Sequence, residues 1–147
     1  MLIDRDDLPV VAMEFMNDVH YEDMEIINKL FELVLAYGKE PTLENQKALD
    51  QKYQEWIAHT VDHFKGEEVM MLEKGFPPYA MHKGEHDRAL EEMQTLFRQW
   101  QESRDISPLK IYLIERLPQW LVHHISTMDT VTANFFKTGL SPCGVNH

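Results

Sequence analysis

Cysteine is nearly missing from this sequence: the single example, Cys143, falls within the last five of 147 residues. No disulfide can close within the chain, so a reduced, cytoplasmic location is the default expectation and Cys143 reads as a bystander thiol. Positive charge is scarce too, with 14 lysines and arginines against 25 acidic residues and a net charge of −11. A surface of that sign repels phosphate backbones and anionic lipid, which argues against nucleic acid and membrane as partners. No apolar stretch approaches the ~20 residues that span a bilayer. The opening MLIDRDDLPVV carries acids where a secretory signal needs a basic start and a long apolar run.

What is there fits one globular domain over residues 1–147. Hydrophobic residues make up 44% and charged residues 27%, enough of each for a buried core and a solvated surface. Glycine and proline cluster at a few points, and between them apolar residues recur at helical spacing. Four segments result, at about 17–37, 42–74, 79–103 and 108–137. The first stops at Gly38 with Pro41 beyond, and the second begins near Thr42 and closes at Gly75 before Pro77 and Pro78. Ser107 can cap the fourth, with Pro108 at its first helical position. Connections this short predict an all-α fold, an antiparallel up-down-up-down four-helix bundle. Residues 140–147 read as a loose tail.

Each segment has one stripe expected to face the core. They read His20, Met24, Ile27, Phe31, Val34; then Leu49, Tyr53, Trp56, Thr60, His63, Glu67, Met70; then Tyr79, His82, His86, Leu90, Met93, Phe97, Trp100. The last is Leu113, Leu117, Trp120, His124, Met128, Val131, Phe135. Histidine occurs on all four and glutamate on one, and burying so many polar groups without partners would cost a few kcal/mol each. A shared metal centre satisfies them together. Running up, down, up and down also brings the four polar stretches to one end of the bundle.

His63 and Glu67 are four apart and share a helix face, with about 6 Å of rise between them. His82 and His86 repeat that spacing and can grip one ion as a pair. His124 and Asp129 differ: five residues turn an ideal helix by roughly 140°. Either the aspartate reaches sideways or the helix is locally distorted. Pro118 lies just upstream and removes the donor to Ile114, which makes a bend before His124 reasonable.

The pattern MNDVHYED, HFKGEE, HKGEH and HHISTMD, carrying His20, His63 with Glu67, His82 with His86, and His124 with Asp129, resembles the hemerythrin family over nearly the whole chain, in its single-domain bacterial form. In that family a histidine followed five residues later by aspartate is the usual last element, so the resemblance brings Asp129 into the ligand set. It implies two non-haem iron ions, one held by His82, His86 and His124 and the other by His20 and His63. Glu67, Asp129 and an oxide or hydroxide would bridge them. Such a set fills eleven of twelve octahedral positions and leaves one open beside His20 and His63. The implied activity is reversible binding of molecular oxygen for transport, storage or delivery, with an oxygen-consuming protein as recipient and the chain as a monomer. Many bacterial members carry a tryptophan near the N-terminus, whereas none precedes Trp56 here.

A carrier is favoured over an enzyme because five neutral imidazoles and two carboxylates stabilise the ferrous state. Ferritin-like enzymes instead surround their irons with more carboxylate in a Glu-x-x-His pattern that is absent here. A di-iron redox enzyme (peroxidase, nitric oxide scavenger or iron oxidase) and an oxygen or redox sensor are the alternatives. A structural zinc site fits poorly with two bridging carboxylates and an open position. Leu121 and Ile125 flank His124 and are candidates to line a dry oxygen pocket. Glu68 is rotated off the stripe and reads as a surface residue or a support behind the ligands. His59, one turn before His63, reads as a flanking support, His123 as a boundary residue, and His147 as part of the tail. The three tryptophans and most of the nine methionines read as core.

Overall fold

The computed structural model describes residues 2–139, so the expected tail at 140–147, with Cys143 and His147, lies outside the described residues. After a single 3-10 turn at Arg5–Asp7 the chain builds four antiparallel helices: α1 (Glu14–Lys39), α2 (Leu43–Glu73), α3 (Tyr79–Ser103) and α4 (107–138). The described residues contain no strand. None of their helices is long and apolar enough to cross a membrane.

The helix ends follow local chemistry, with two departures from expectation. The first helix starts at Glu14 rather than Asn17 and runs through Gly38 to Lys39, where extended Glu40 precedes Pro41 and ends it. Thr42 caps α2 by accepting the Asn45 N–H, and Gly75, at φ 67°, takes the left-handed turn that follows the helix. Ser107 is not the cap of α4. It is already helical, and the side chain of Asp105 accepts its N–H at 3.0 Å.

The core stripes of α2 and α3 run largely as their spacing predicts, through Leu49, Tyr53, Trp56, Thr60 and Glu67 and through His82, His86, Met93, Phe97 and Trp100, all buried. On α1 Leu30 replaces Phe31 as the buried residue, and on α2 Met71 replaces Met70. The expected neighbours lie half-buried at the edges of the same faces.

The fourth helix is not uniform. Three α segments, Ser107–Ile111, Leu117–His124 and Thr130–Thr138, are separated by π turns at Tyr112–Arg116 and Ile125–Asp129. In the first turn the Leu117 N–H reaches back five residues to Tyr112, directly before Pro118, which has no N–H to give. In the second, the Thr130 N–H reaches Ile125. Hydroxyls add bonds to carbonyls around this turn: Thr127 donates to His123 O at 2.7 Å, Ser126 to the same oxygen at 3.2 Å, and Thr130 to Ile125 O at 2.7 Å. A π turn contains one more residue than an α turn. The inner face therefore slips by one position: Met128, Val131 and Phe135 are half-buried, while Asp129, Thr132, Ala133 and Phe136 are buried in their place. Trp120 is likewise half-buried and Leu121 takes the core position.

Residues 2–13 pack along the first half of α1, with Ile3, Leu8 and Val11 buried. Two asparagines clamp them. The Asn28 side chain bonds both backbone groups of Ile3 at 2.8 Å, and Asn17 does the same for Val11 at 2.9 Å.

Candidate metal centre

The helices bring all seven candidate side chains together, since the start of α1, the end of α2, the start of α3 and the second π turn of α4 lie at one end of the bundle. Two sets of potential ligand atoms form, His82, His86, His124 and Asp129 in one and His20, His63 and Glu67 in the other, each with its atoms within 4.8 Å of one another. Each carboxylate turns a different oxygen to each side. Glu67 places Oε2 2.8 Å from His63 Nε2, and Oε1 3.4 Å and 3.5 Å from the Nε2 atoms of His86 and His82. Asp129 places Oδ2 2.9 Å from His20 Nε2, and Oδ1 3.1 Å and 3.3 Å from those of His82 and His124. Neighbouring ligands on an octahedral ion with bonds of about 2.1 Å stand about 3 Å apart. The spacing here is of that size.

The donor chemistry fits a cation. Glu67 Oε1, Asp129 Oδ1 and His86 Nε2 are buried without a hydrogen-bond partner, and all three point into the cluster. Burial by itself would push both carboxyls upward in pKa. For Asp129, the close approach of His124, the hydrogen bond from His20 and the close approach of His82 outweigh that and hold the carboxyl well below its usual range. For Glu67 burial and the Asp129 charge are outweighed by His63 and His86, again a net lowering. Burial would lower His63, but the charge and hydrogen bond of Glu67 prevail and raise it to about 9. The same competition, with Asp129 prevailing over burial, raises His124. A proton on His63 offsets part of the buried negative charge, and a metal ion can displace it.

The far ring nitrogens divide the histidines. His82 Nδ1 meets Thr132 Oγ1 at 2.7 Å, His86 Nδ1 meets Glu68 Oε2 at 2.9 Å, and His124 Nδ1 meets Glu85 Oε1 at 2.7 Å. Such partners fix ring orientation and tautomer. The Nδ1 atoms of His20 and His63 have none. Phe64 stacks on the His86 ring at 3.8 Å and Trp120 on His124 at 4.6 Å. Glu85 and Thr132 were not singled out by sequence reasoning. The signal that could have found them is the demand of each buried imidazole for an acceptor one turn away on a neighbouring stripe. Glu68 supports His86 from behind, one of the two roles its position suggested. His123 is exposed.

A cavity of about 20 Å³ opens beside His20 and His63, with Phe64, Trp120 and Leu121 in its wall. Of the other imidazoles only His124 borders it, along with Asp129. A space of this size holds one water or a molecule of similar bulk. Ile125 is fully buried but does not border it.

A four-helix bundle with a histidine-rich, two-carboxylate cluster at one end defines the class of protein, and comparison with known proteins gives the family. The family described as "Hemerythrin HHE cation binding domain" matches residues 13–135. The chain belongs to the hemerythrin family. It is similar to the bacteriohemerythrin of Aquifex aeolicus (strain VF5), 29% identical over 133 residues that cover 90% of this chain and 96% of that one. The bacteriohemerythrin of Stenotrophomonas maltophilia (strain R551-3) is 26% identical over 147 residues, covering 100% and 89%. A crystal structure of a hemerythrin point mutant shares the fold, with a TM-score of 0.70 and 22% identity over 94% of this chain and 98% of that chain.

Proposed function

We propose that this protein binds molecular oxygen reversibly at two non-haem iron ions. His82, His86 and His124 would hold one ion and His20 and His63 the other, with Glu67 and Asp129 as bridges beside an oxide or hydroxide. The observation that carries the reading is the unequal division around two-faced carboxylates, with a cavity bordered by both imidazoles of the smaller set and by one of the three in the larger. The iron pair, when bound, supplies the electrons that oxygen takes up and gives back. The side chains do the rest. Asp129 and Glu67 balance charge between the two sides, and Thr132, Glu68 and Glu85 hold three rings in place. Leu121, Phe64 and Trp120 limit the water beside His20 and His63. Relatives named bacteriohemerythrin support a carrier rather than an enzyme. The setting this reading implies is the cytoplasm, with a monomeric chain delivering to an oxygen-consuming protein.

The test is to load the protein anaerobically with iron, measure two ions per chain, and cycle between argon and oxygen while following the visible spectrum. Colour that appears and disappears over repeated cycles is expected. Colour that decays once, with peroxide or substrate turnover, would make the protein a redox enzyme instead.

A further inference from the structure

Asp23 is a buried acid to which the cluster above gives no task. It lies on α1 three residues after His20, is 6% exposed, and lines the same small cavity as His20 and His63. Its Oδ1 has no hydrogen-bond partner among the described residues. His59, one turn before His63 on α2, approaches this oxygen with Nδ1 at 3.4 Å, the outer limit of a hydrogen bond, and that nitrogen is also unsatisfied. The imidazole is the more exposed of the two, so it backs the carboxylate from the solvent side. The contact with Asp23 raises the pKa of His59 against the opposing effect of burial. Much of the remaining wall is apolar, with Trp56, Met93, Leu117 and Leu121 among the lining residues. An acceptor in such a wall interacts strongly with whatever enters, because little water screens it.

We propose that Asp23, backed by His59, selects the molecule that occupies this cavity: it accepts a hydrogen bond from a small neutral ligand carrying its own proton, of the hydrogen peroxide type, and disfavours small anions. The inference rests on the oxygen-site reading only for a metal ion beside His20 and His63.

Iron-loaded protein, oxidised with ferricyanide, is titrated with azide and separately with hydrogen peroxide, and each dissociation constant is read from the spectrum. Asp23→Asn keeps an acceptor and removes the charge, so azide should bind about ten-fold more tightly with peroxide nearly unchanged. Asp23→Leu removes both, so azide should tighten while peroxide weakens about ten-fold. His59→Leu removes the imidazole that faces Asp23 Oδ1 and leaves the carboxylate less offset, so it should weaken azide binding, the opposite sign, which tests the idea even if neither change at position 23 folds. Metal-free melting of each variant identifies those that fold. Azide constants within about two-fold of wild type in folded, azide-binding variants overturn this inference alone. No metal uptake, or no azide-dependent spectrum in wild type and variants alike, overturns the oxygen-site reading and this inference with it.

Discussion

Deleting Ser126 should leave the protein folded and the cluster intact. Ser126 is exposed within the π turn between His124 and Asp129, and its hydroxyl makes the longer of the two contacts to His123 O, 3.2 Å against 2.7 Å for Thr127. If the extra residue of that turn is what returns Asp129 to the inner face, removing it yields an ordinary α turn with His124 and Asp129 four apart. Everything downstream keeps its register. The lost hydroxyl contact and the regained backbone bonding are each about 1 kcal/mol, so the net change should stay within about 1 kcal/mol. If α4 instead followed one α register through this region, the deletion would rotate all later residues by about 100°. Asp129 would leave His20, His82 and His124, Thr132 would leave His82, and Phe136 would turn outward. Loss of the Phe136 burial alone is worth about 3 kcal/mol, and each abandoned buried polar contact about 1–3 more. Urea unfolding of the metal-free deletion variant, with metal stoichiometry by elemental analysis, separates the cases. A stability loss above about 5 kcal/mol, or uptake of fewer ions than wild type, would refute the register argument.

Three further outcomes can be measured. Because the folded pKa of His63 is raised to about 9, the metal-free protein has this stabilisation in full below about pH 6.5 and loses about 3 kcal/mol as pH rises through 9. Asp129 and Glu67 act with the opposite sign, stabilising above about pH 4.5 and losing that as pH falls through their lowered values. The urea midpoint of the metal-free protein should be lower at pH 9.5 than at pH 6, whereas metal affinity rises with pH because uptake releases protons; a flat profile would contradict the proton balance described. Thr132→Val strands His82 Nδ1, so metal affinity should drop about 10–100-fold in a chelator competition, and an unchanged constant would deny Thr132 an orienting role. Leu121→Ala should cost about 2–5 kcal/mol and speed the fading of the oxygen-dependent colour to the ferric state; an equal lifetime would remove Leu121 from the pocket's function.

How far the sequence could be read depended on whether a helix kept one register. In α2 and α3 it did, and spacing alone selected Tyr53, Trp56, His82, His86 and Trp100 as inward residues. In α4 Leu117 and His124 were read correctly, but Trp120 already stood half-buried beside Leu121, and beyond His124 the whole face slipped by one, because a π turn leaves no period of its own in the apolar pattern. Only the run of hydroxyls in Ser126, Thr127 and Thr130 hints at it, since these side chains add bonds to carbonyls around the turn. Asp129 therefore reached the candidate set by family resemblance, and the turn supplies the physical reason for its position. The residues behind the imidazoles were harder to read. Glu85 and Thr132 lie on stretches whose neighbours in sequence are candidate ligands or core, and their partners come from other helices. The clamps made by Asn17 and Asn28 escaped notice for a related reason, as an arm with a single 3-10 turn has no periodicity to betray it.

The uneven support of the imidazoles has a consequence in time. Three rings are pinned at both ends, by the cluster and by Thr132, Glu68 or Glu85, whereas His20 and His63 are pinned only by the cluster. Rings held at one end can tilt without breaking a second bond, so the half of the site built by α1 and α2 has the lower barrier to letting go. A chelator should then empty the site in two phases, the faster from the side of His20 and His63. The sequence of loss, more than the total affinity, would carry the imprint of which neighbours stand behind the histidines.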